Sequence, residues 1–280
     1  MKTVILAGGL GSRMREETEF KPKPMVEIGT KPIIWHIMKN YNFYGFDDFI
    51  VCMGYKKESI IDYFINFNSF NNDIEINLGP NTEVNFLNHD DNLKDIKVTL
   101  SDTGLNTNTG ERLRRVKKYI PEGETFMMTY GDGLGDVNLK KLLDFHNSHP
   151  GLATFTATKP QSRFGVIETD ENNSVTIFDE KGRIENRINC GFMVLDYDVF
   201  DFIDENDSFE QNSLKKIANE KKLYAFNHDS YFQPMDTYRE FQNLNLLWDK
   251  NEAPWKVWND WFHGIWKQKY ISYRLLRIVR

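Results

Sequence analysis

The sequence predicts an α/β protein: a mixed, mostly parallel sheet flanked by helices, with a projecting hairpin and a helical C-terminal part. Three observations predict it. Apolar runs rich in β-branched residues alternate with helical patterns through the first half of the 280 residues, the signature of a doubly wound sheet. Those runs are apolar nearly throughout, as strands covered on both faces are. After Lys159 the texture changes to a hairpin pattern, one more apolar strand and a helical last third.

In order, residues 3–7 (TVILA) read as the first strand and residues 32–45 as a helix, with Ile34, Ile37, Met38 and Tyr41 on one face. Residues 47–55 give a second strand and 58–67 a second helix. Between 71 and 95 lies an Asn/Asp-rich stretch whose short alternating runs, DIEINL and TEVNFL, predict the projecting hairpin. Strands at 97–102 and 125–132 flank a helix at 112–120, and a helix at 139–149 precedes a strand at 152–160. Residues 164–181 form a hairpin turning at 170–173, where Asp and Asn tolerate the backbone angles of a turn. Residues 188–200 return to an apolar strand. With no internal repeat or linker, residues 1–250 are expected to form one domain. The tail 251–280, rich in Trp and basic residues, is an extension that packs on the body or on a neighbouring subunit.

The bulk chemistry excludes several functions. A net charge of -6 argues against nucleic-acid binding, which draws on clustered Lys and Arg. Cys52 and Cys190 are too few and too far apart for a disulfide framework or a zinc site, so buried thiols in a reducing cytoplasm are expected. The N-terminal apolar run is too short for a signal peptide, and no run approaches the ~18 apolar residues of a membrane span.

The opening LAGGLGSRM, followed by KPKPM, carries the chemistry. Glycines directly after a strand let backbone N–H groups face a ligand. The Walker spacing G-x-x-x-x-G-K-[ST] is absent, and Met14 stands where a dinucleotide fingerprint needs its third glycine. Pro22 and Pro24 forbid the helix that such a fingerprint opens, and they are expected to hold the chain extended. What remains is a bare turn beside Arg13 and Lys23, which together can neutralise a polyphosphate.

Asp132 ends an apolar strand between Gly131 and Gly133, at the sheet edge where open α/β sheets bind ligands. Its plain alternative is a helix cap, and Asp236 alone would be read the same way. Asp102 and Asp136 are weaker candidates. His36, His146 and His149 form no ligand set, and nothing suggests a covalent nucleophile.

These motifs resemble the sugar-1-phosphate nucleotidyltransferases, most closely their glucose-1-phosphate cytidylyltransferase branch. The resemblance runs from LAGGLGSRM and KPKPMVEIG through VCMGYK, TGERLRRV, YGDG, RFGVIE, FDEK, NCGFMVL and FQPMDT to LWDKNEAPWKVW, most of residues 1–258. It implies a Rossmann-like fold of the nucleotide-diphospho-sugar transferase type, with a mainly nucleotide-binding half (1–150) and a mainly sugar-phosphate half (151–250). It implies CTP and a sugar 1-phosphate, most simply glucose 1-phosphate, as substrates, Mg²⁺ as cofactor and a homo-oligomer.

Residue by residue, the resemblance implies that Leu6, Ala7, Gly8, Gly9, Gly11, Ser12 and Arg13 cradle the triphosphate and that Lys23 works on the transferred phosphate. Thr103, Gly104, Thr109, Gly110 and Arg112 would read the base, with Arg112 near cytosine O2 and N3. Gly131 and Asp132 would complete the nucleotide site. Asp132 and Asp236 would hold the metal. Arg13, Lys23 and Asp132 would form the catalytic set. Tyr130, Gly165, Glu180, Lys181, Asn189 and Gly191 would line the sugar-phosphate site. Two departures stand out: Gly182 follows Lys181 where relatives carry Pro, and Gln211-Asn212-Ser213-Leu214 replaces a Glu-Pro-Leu run. They leave open another phosphorylated acceptor. A nucleotide-sugar-binding subunit without chemistry is a further alternative.

Overall fold

The computed structural model describes residues 1–11, 14–80, 82–87, 96–160, 165–180 and 186–258. The first half contains β1 (Lys2–Leu6), α1 (Arg15–Thr18), β2 (Glu27–Ile28), β3 (Lys31–Pro32), α2 (Ile33–Phe43), β4 (Asp48–Met53), α3 (Lys57–Ile65) and α4 (Phe67–Asn71). There follow β5 (Ile74–Asn77), β6 (Glu83–Phe86), β7 (Lys97–Asp102), α5 (Thr109–Val116), β8 (Phe126–Tyr130) and β9 (Gly133–Gly135). The second half adds α6 (Leu139–Asn147), β10 (Ala153–Thr158), β11 (Val166–Thr169), β12 (Val175–Asp179), β13 (Ile188–Leu195), α7 (Leu214–Asn219), β14 (Leu223–His228), β15 (Phe232–Pro234) and α8 (Tyr238–Asp249).

Seven strands form the main sheet in the order β14-β10-β13-β8-β1-β4-β7. All run parallel except β13, which lies antiparallel to β8 and β10. The chain steps outward from β1 to β4 and β7, then returns to place β8 on the other side of β1. That reversal opens a crevice at the carboxyl ends of β1 and β8, the place where open α/β sheets bind ligands. The glycine turn leaves β1 there, and Asp132 follows β8 by two residues.

The apolar strands do cover both faces. On one side Ile5, Val51 and Met127 pack with Ile34, Ile37 and Tyr41 of α2, Leu142 of α6 and Leu244 of α8. On the other, Val4, Ile50 and Met128 meet Leu113 and Val116 of α5 and Ile217 of α7. The hairpin expected between 71 and 95 is β5–β6; Ile74, Ile76 and Val84 on it are all exposed. Among the described residues no helix is long and apolar enough to cross a membrane.

Several local expectations change. The last third is not wholly helical: Leu223–His228 pairs with β10 as an edge strand, its half-exposed YAFN alternating across the sheet as a strand should. Lys23–Met25 is a turn of 3₁₀ helix, not extended chain, because the fixed φ of Pro24 suits a first helical turn as well as a strand. Asp132 caps no helix, since β9 follows it. Asp236 is not the cap of α8 either: Thr237 is, in a capping box with Glu240, which leaves the Asp236 carboxylate to point elsewhere. Tail residues 259–280 lie outside the described residues, but Trp255 and Trp258 before them are buried.

Those two tryptophans close a ring of aromatics around His36, which stands edge-on to Trp35 and Trp248. Nε2–H of His36 donates to the Ile28 carbonyl at 2.9 Å, and its Nδ1 accepts from Trp255 Nε1 at 3.4 Å. A proton on Nδ1 would face that indole N–H, and burial already pushes the His36 pKa down to about 4. An unfolded His titrates near 6.5, so the unfolded chain binds more protons between these values. The stability this histidine contributes is therefore complete above pH 6.5 and lost as pH falls toward 4. The loss approaches about 3 kcal/mol. Urea midpoints measured from pH 7 to pH 4.5 should fall more steeply for the natural protein than for His36→Gln; parallel curves would refute this account.

Candidate active site

The crevice is a cavity of about 400 Å³ walled by the glycine turn, the N-terminus of α5, the end of β8 and the turn before α7. Leu6, Ala7, Gly8, Gly9 and Gly11 line one side, as the sequence predicts for a phosphate cradle. Gly11 has a φ of +62°, so a side chain there would be strained. Ser12 and Arg13 lie outside the described residues.

Lys23 reaches across the floor of the cavity. Its Nζ lies 2.9 Å from Asp132 Oδ2 and 2.6 Å from Asp236 Oδ1. Three charges distant in sequence thus converge on one point. Burial alone would lower the lysine pKa; Asp132, then Asp236, outweigh it and hold the ammonium above its ordinary range. The lysine backbone is fixed by the 3₁₀ turn, with Met25 N–H bonded to the Pro22 carbonyl and Val26 N–H to the Lys23 carbonyl. Asp132 is placed by β8, and Met235 N–H bonds to its carbonyl, which ties Asp236 to the same place. A Cβ on Gly131 would lie 3.0 Å from Pro24 and 3.1 Å from the Leu6 carbonyl, so the glycine lets the chain pass closely.

The donor set can be tested against a metal. Two carboxylate oxygens already share one cation, and among the described residues no third His, Cys, Asp or Glu joins them. Two hard oxygens with room for a phosphate suit Mg²⁺, which keeps waters and phosphate oxygens among its ligands. They do not suit zinc, which takes nitrogen and sulfur ligands in closed tetrahedral sites.

Arg112 is buried at the base of the glycine turn and lines the inner wall of the crevice. One terminal nitrogen, Nη1, lies 3.2, 2.8 and 2.7 Å from the Met53 carbonyl, Thr103 Oγ1 and the Gly104 carbonyl. The other, Nη2, donates to the carbonyls of Gly8 and Leu105 at 3.0 and 3.1 Å. Its terminal N–H groups are therefore committed to the protein, and it clamps the loops after β1, β4 and β7. Thr103 and Gly104 take part in that clamp and do not line the cavity, and Gly110 sits where a Cβ would lie 2.9 Å from the Asp207 carbonyl. Thr109 does line the cavity, as does Tyr130.

A second cavity, of about 250 Å³, adjoins the first through Tyr130, Asp132 and Asp236 and is lined by Asn189 and Cys190 of β13. Gly191 has a φ of +87°, and a Cβ there would meet the Tyr130 ring at 2.4 Å. Gly165 and Glu180 lie at the ends of the exposed β11–β12 hairpin, close enough that a Cβ on Gly165 would lie 3.2 Å from Glu180 Oε2. Lys181 lies outside the described residues. Of the weaker candidates, Asp102 pairs with Lys57, while Asp136 bonds to Ser230, the Tyr231 N–H and His228. His146 and His149 both bond to Thr154.

Glu210 was not anticipated. It lies in a π-helical turn, Phe209–Ser213, and faces the first cavity. Its carboxylate accepts from Tyr130 Oη, and from Thr109 Oγ1 at 2.6 Å. The stretch SFEQNS carries no motif, and only the fold brings it beside α5. Thr107, Asn108 and Ser208 also line this cavity, without having been singled out in the sequence, and so does Pro24 of KPKPM.

The clamp separates two neighbouring glycines. A Cβ on Gly8 would sit 2.1 Å from Arg112 Nη1, whereas nothing lies within 4 Å of one on Gly9. Gly8→Ala should lower thermal stability by several degrees, about 1–3 kcal/mol of overpacking, while Gly9→Ala keeps the melting temperature and loses nucleotide affinity. Equal melting temperatures for the two variants would contradict the clamp.

Comparison with known proteins agrees with this geometry. The nucleotidyl transferase family profile matches residues 2–264. The chain is 46% identical over 261 residues to a glucose-1-phosphate cytidylyltransferase of Salmonella typhi, covering 92% of this chain and all of that protein. It is 39% identical to a probable glucose-1-phosphate cytidylyltransferase of Bacillus subtilis, again over 92% of this chain and all of the relative. Among solved structures, HddC from Yersinia pseudotuberculosis superposes with a TM-score of 0.63 at 24% identity, over 88% of this chain and 99% of its own. A UDP-glucose pyrophosphorylase complexed with UDP-glucose gives 0.65 at 17%, over 89% and 98%, and these two show the shared fold. A glycine turn at a sheet switch point, a lysine between two aspartates and a match along almost the whole chain lead to one conclusion: the chain belongs to the nucleotidyl transferase family.

Proposed function

We propose that this protein transfers the cytidylyl group of CTP to glucose 1-phosphate, giving CDP-glucose and pyrophosphate. The observation that carries the reading is the convergence of Lys23, Asp132 and Asp236 beneath the glycine turn. The near-full-length identity to glucose-1-phosphate cytidylyltransferases supports the choice of base and sugar.

In this reading the triphosphate lies along Gly8, Gly9 and Gly11, and Ser12 and Arg13 are the further residues assigned to it. A phosphate oxygen of the sugar phosphate attacks the α-phosphorus in line. The new P–O bond forms as the bond to the bridging oxygen breaks, and pyrophosphate leaves with that electron pair. Lys23 meets the negative charge gathered between the two substrates, and most of the acceleration is orientation plus electrostatics. Asp132 and Asp236 are the residues that would hold Mg²⁺, which would neutralise phosphate charge at the transfer point. Asn189 and Tyr130, which line the second cavity, would meet the acceptor there, and Gly165, Glu180, Lys181 and Gly191 are the further residues assigned to the sugar phosphate.

A different acceptor draws less support. Asn212, one of the departures that raised it, spends its amide on Asp207, and lines neither cavity. A binding subunit without chemistry would have no use for a lysine held between two carboxylates. We also read the protein as a cytoplasmic homo-oligomer, a reading supported by its two buried free thiols and by the exposed apolar side chains of β5–β6.

Pyrophosphate release across CTP, UTP, dTTP, ATP and GTP, each with several sugar phosphates, tests the whole. CTP with glucose 1-phosphate should dominate, and no release with any pair would refute an enzymatic role. Lys23→Ala and Asp132→Asn should each lower kcat by about 100-fold or more while the circular dichroism spectrum stays unchanged. Near-normal turnover in either variant would remove that residue from the mechanism.

A further inference from the structure

The first cavity has two chemically distinct ends. Lys23, Asp132 and Asp236 stand at one, beside the glycine turn. At the other, against the first turn of α5, stands Glu210. Tyr130 Oη, Thr109 Oγ1 and Ser208 Oγ all donate to its carboxylate, the last at 3.3 Å. These bonds fix a carboxylate that would otherwise swing, and they consume the donors of three surrounding hydroxyls. Among the described residues the cations lining this cavity are Lys23 and Arg112, and the terminal N–H groups of Arg112 are taken by protein acceptors. This end therefore presents acceptors and no available cation. It repels phosphate and rewards a neutral group that donates hydrogen bonds.

We infer that Glu210 is a specificity-determining residue for the base, accepting a hydrogen bond from the exocyclic amino group of cytosine. The inference rests on the proposed use of CTP. Cytosine and uracil differ at this edge as donor and acceptor: the 4-amino group donates, whereas the 4-oxo group of uracil would place lone pairs against a fixed carboxylate. A buried donor–acceptor match admits one base, and the mismatch leaves polar groups unpaired and excludes the other. Base selection thus comes from a turn of the second half of the chain, while Arg112 shapes the floor without touching the base.

The test compares Glu210→Gln with the natural protein by kcat/KM and by calorimetric binding of CTP, UTP and dCTP. A glutamine amide keeps the size of the side chain and can donate to a 4-oxo group. The ratio of CTP to UTP should fall on the order of 10- to 100-fold, as expected for one hydrogen bond to a charged acceptor. The ratio of CTP to dCTP should not move. Tyr130→Phe, which keeps the carboxylate but frees one of its holders, should lower the CTP to UTP ratio by less. Binding supplies the answer even where turnover is lost. A CTP to UTP ratio unchanged in Glu210→Gln overturns the inference while leaving the proposed function standing. A changed CTP to dCTP ratio assigns the carboxylate to the ribose and overturns it too. If the natural protein itself does not prefer CTP to UTP, the proposed base and this inference fall together.

Discussion

A buried guanidinium without a carboxylate partner holds the crevice open. Arg112, 4% exposed, is neutralised by carbonyl dipoles from the loops that follow β1, β4 and β7. Desolvation lowers its pKa, yet an arginine in this setting stays charged. A guanidinium carries enough N–H groups to bond several carbonyls converging from separate strands at once, including those of Met53 and Gly8, which also accept from the Thr103 and Tyr55 N–H groups. The cost appears in the neighbours. Gly8 and Gly54 carry no side chain because a Cβ on either would fall within 2.6 Å of Arg112 Nη1. The glycines of the opening motif are thus only partly about ligand approach. Gly8 is a glycine because of an arginine more than a hundred residues later, and Gly9 is the one whose open face is left for the ligand.

Onto this floor the site places like charges under tension. Asp132 and Asp236 arrive from different elements, linked by the Met235 N–H to Asp132 carbonyl bond, and would repel one another if left alone. Lys23 keeps them together with a single ammonium. A cation shared by two carboxylates is well satisfied, and this has a consequence for the reaction: Lys23 can serve a phosphate only by loosening its hold on an aspartate. A second cation between the carboxylates would release it. The geometry therefore couples the two aspartates and the lysine into one unit, and a substitution at any of them disturbs the charge balance of the other two.

How much of this was legible in the sequence depends on the range of the interaction. Local chemistry read well: apolar runs gave every strand of the main sheet but β14, the Asn/Asp-rich stretch gave β5–β6, and a strand running into glycines gave the turn. Errors came where one local signal had two physical outcomes. Proline beside Lys23 suits an extended chain and a 3₁₀ turn alike, and Asp236 before Thr237 looks like a cap because Asp and Thr compete for that position. The resemblance implied that Arg112 reads the base; it does line the cavity, with its terminal N–H groups bonded to the protein. Nothing local reveals that five acceptors from other loops would claim it. Glu210 was invisible for the converse reason: its surroundings are built by contact with α5 and β8, and its own segment has no pattern to read.

Separation of these roles also explains why the pairing of residues could not be derived from spacing. The end that holds Lys23 and the two aspartates is assembled from the first strand's exit, the end of β8 and the approach to α8; the end that holds Glu210, which we propose meets the base, comes from α5 and the turn before α7. Tyr130 is the hinge between them. Its ring packs beneath Gly191 on the acceptor side, its hydroxyl bonds to Glu210 on the other, and its backbone continues through Gly131 to Asp132. Burial, then the neighbouring Glu210, pushes the Tyr130 phenol up and keeps it protonated, so it remains a donor across the working pH range. A rigid donor in that place fixes the distance between what is recognised and what is transferred. In a reaction whose acceleration is mostly orientation, that fixed distance is itself a catalytic contribution.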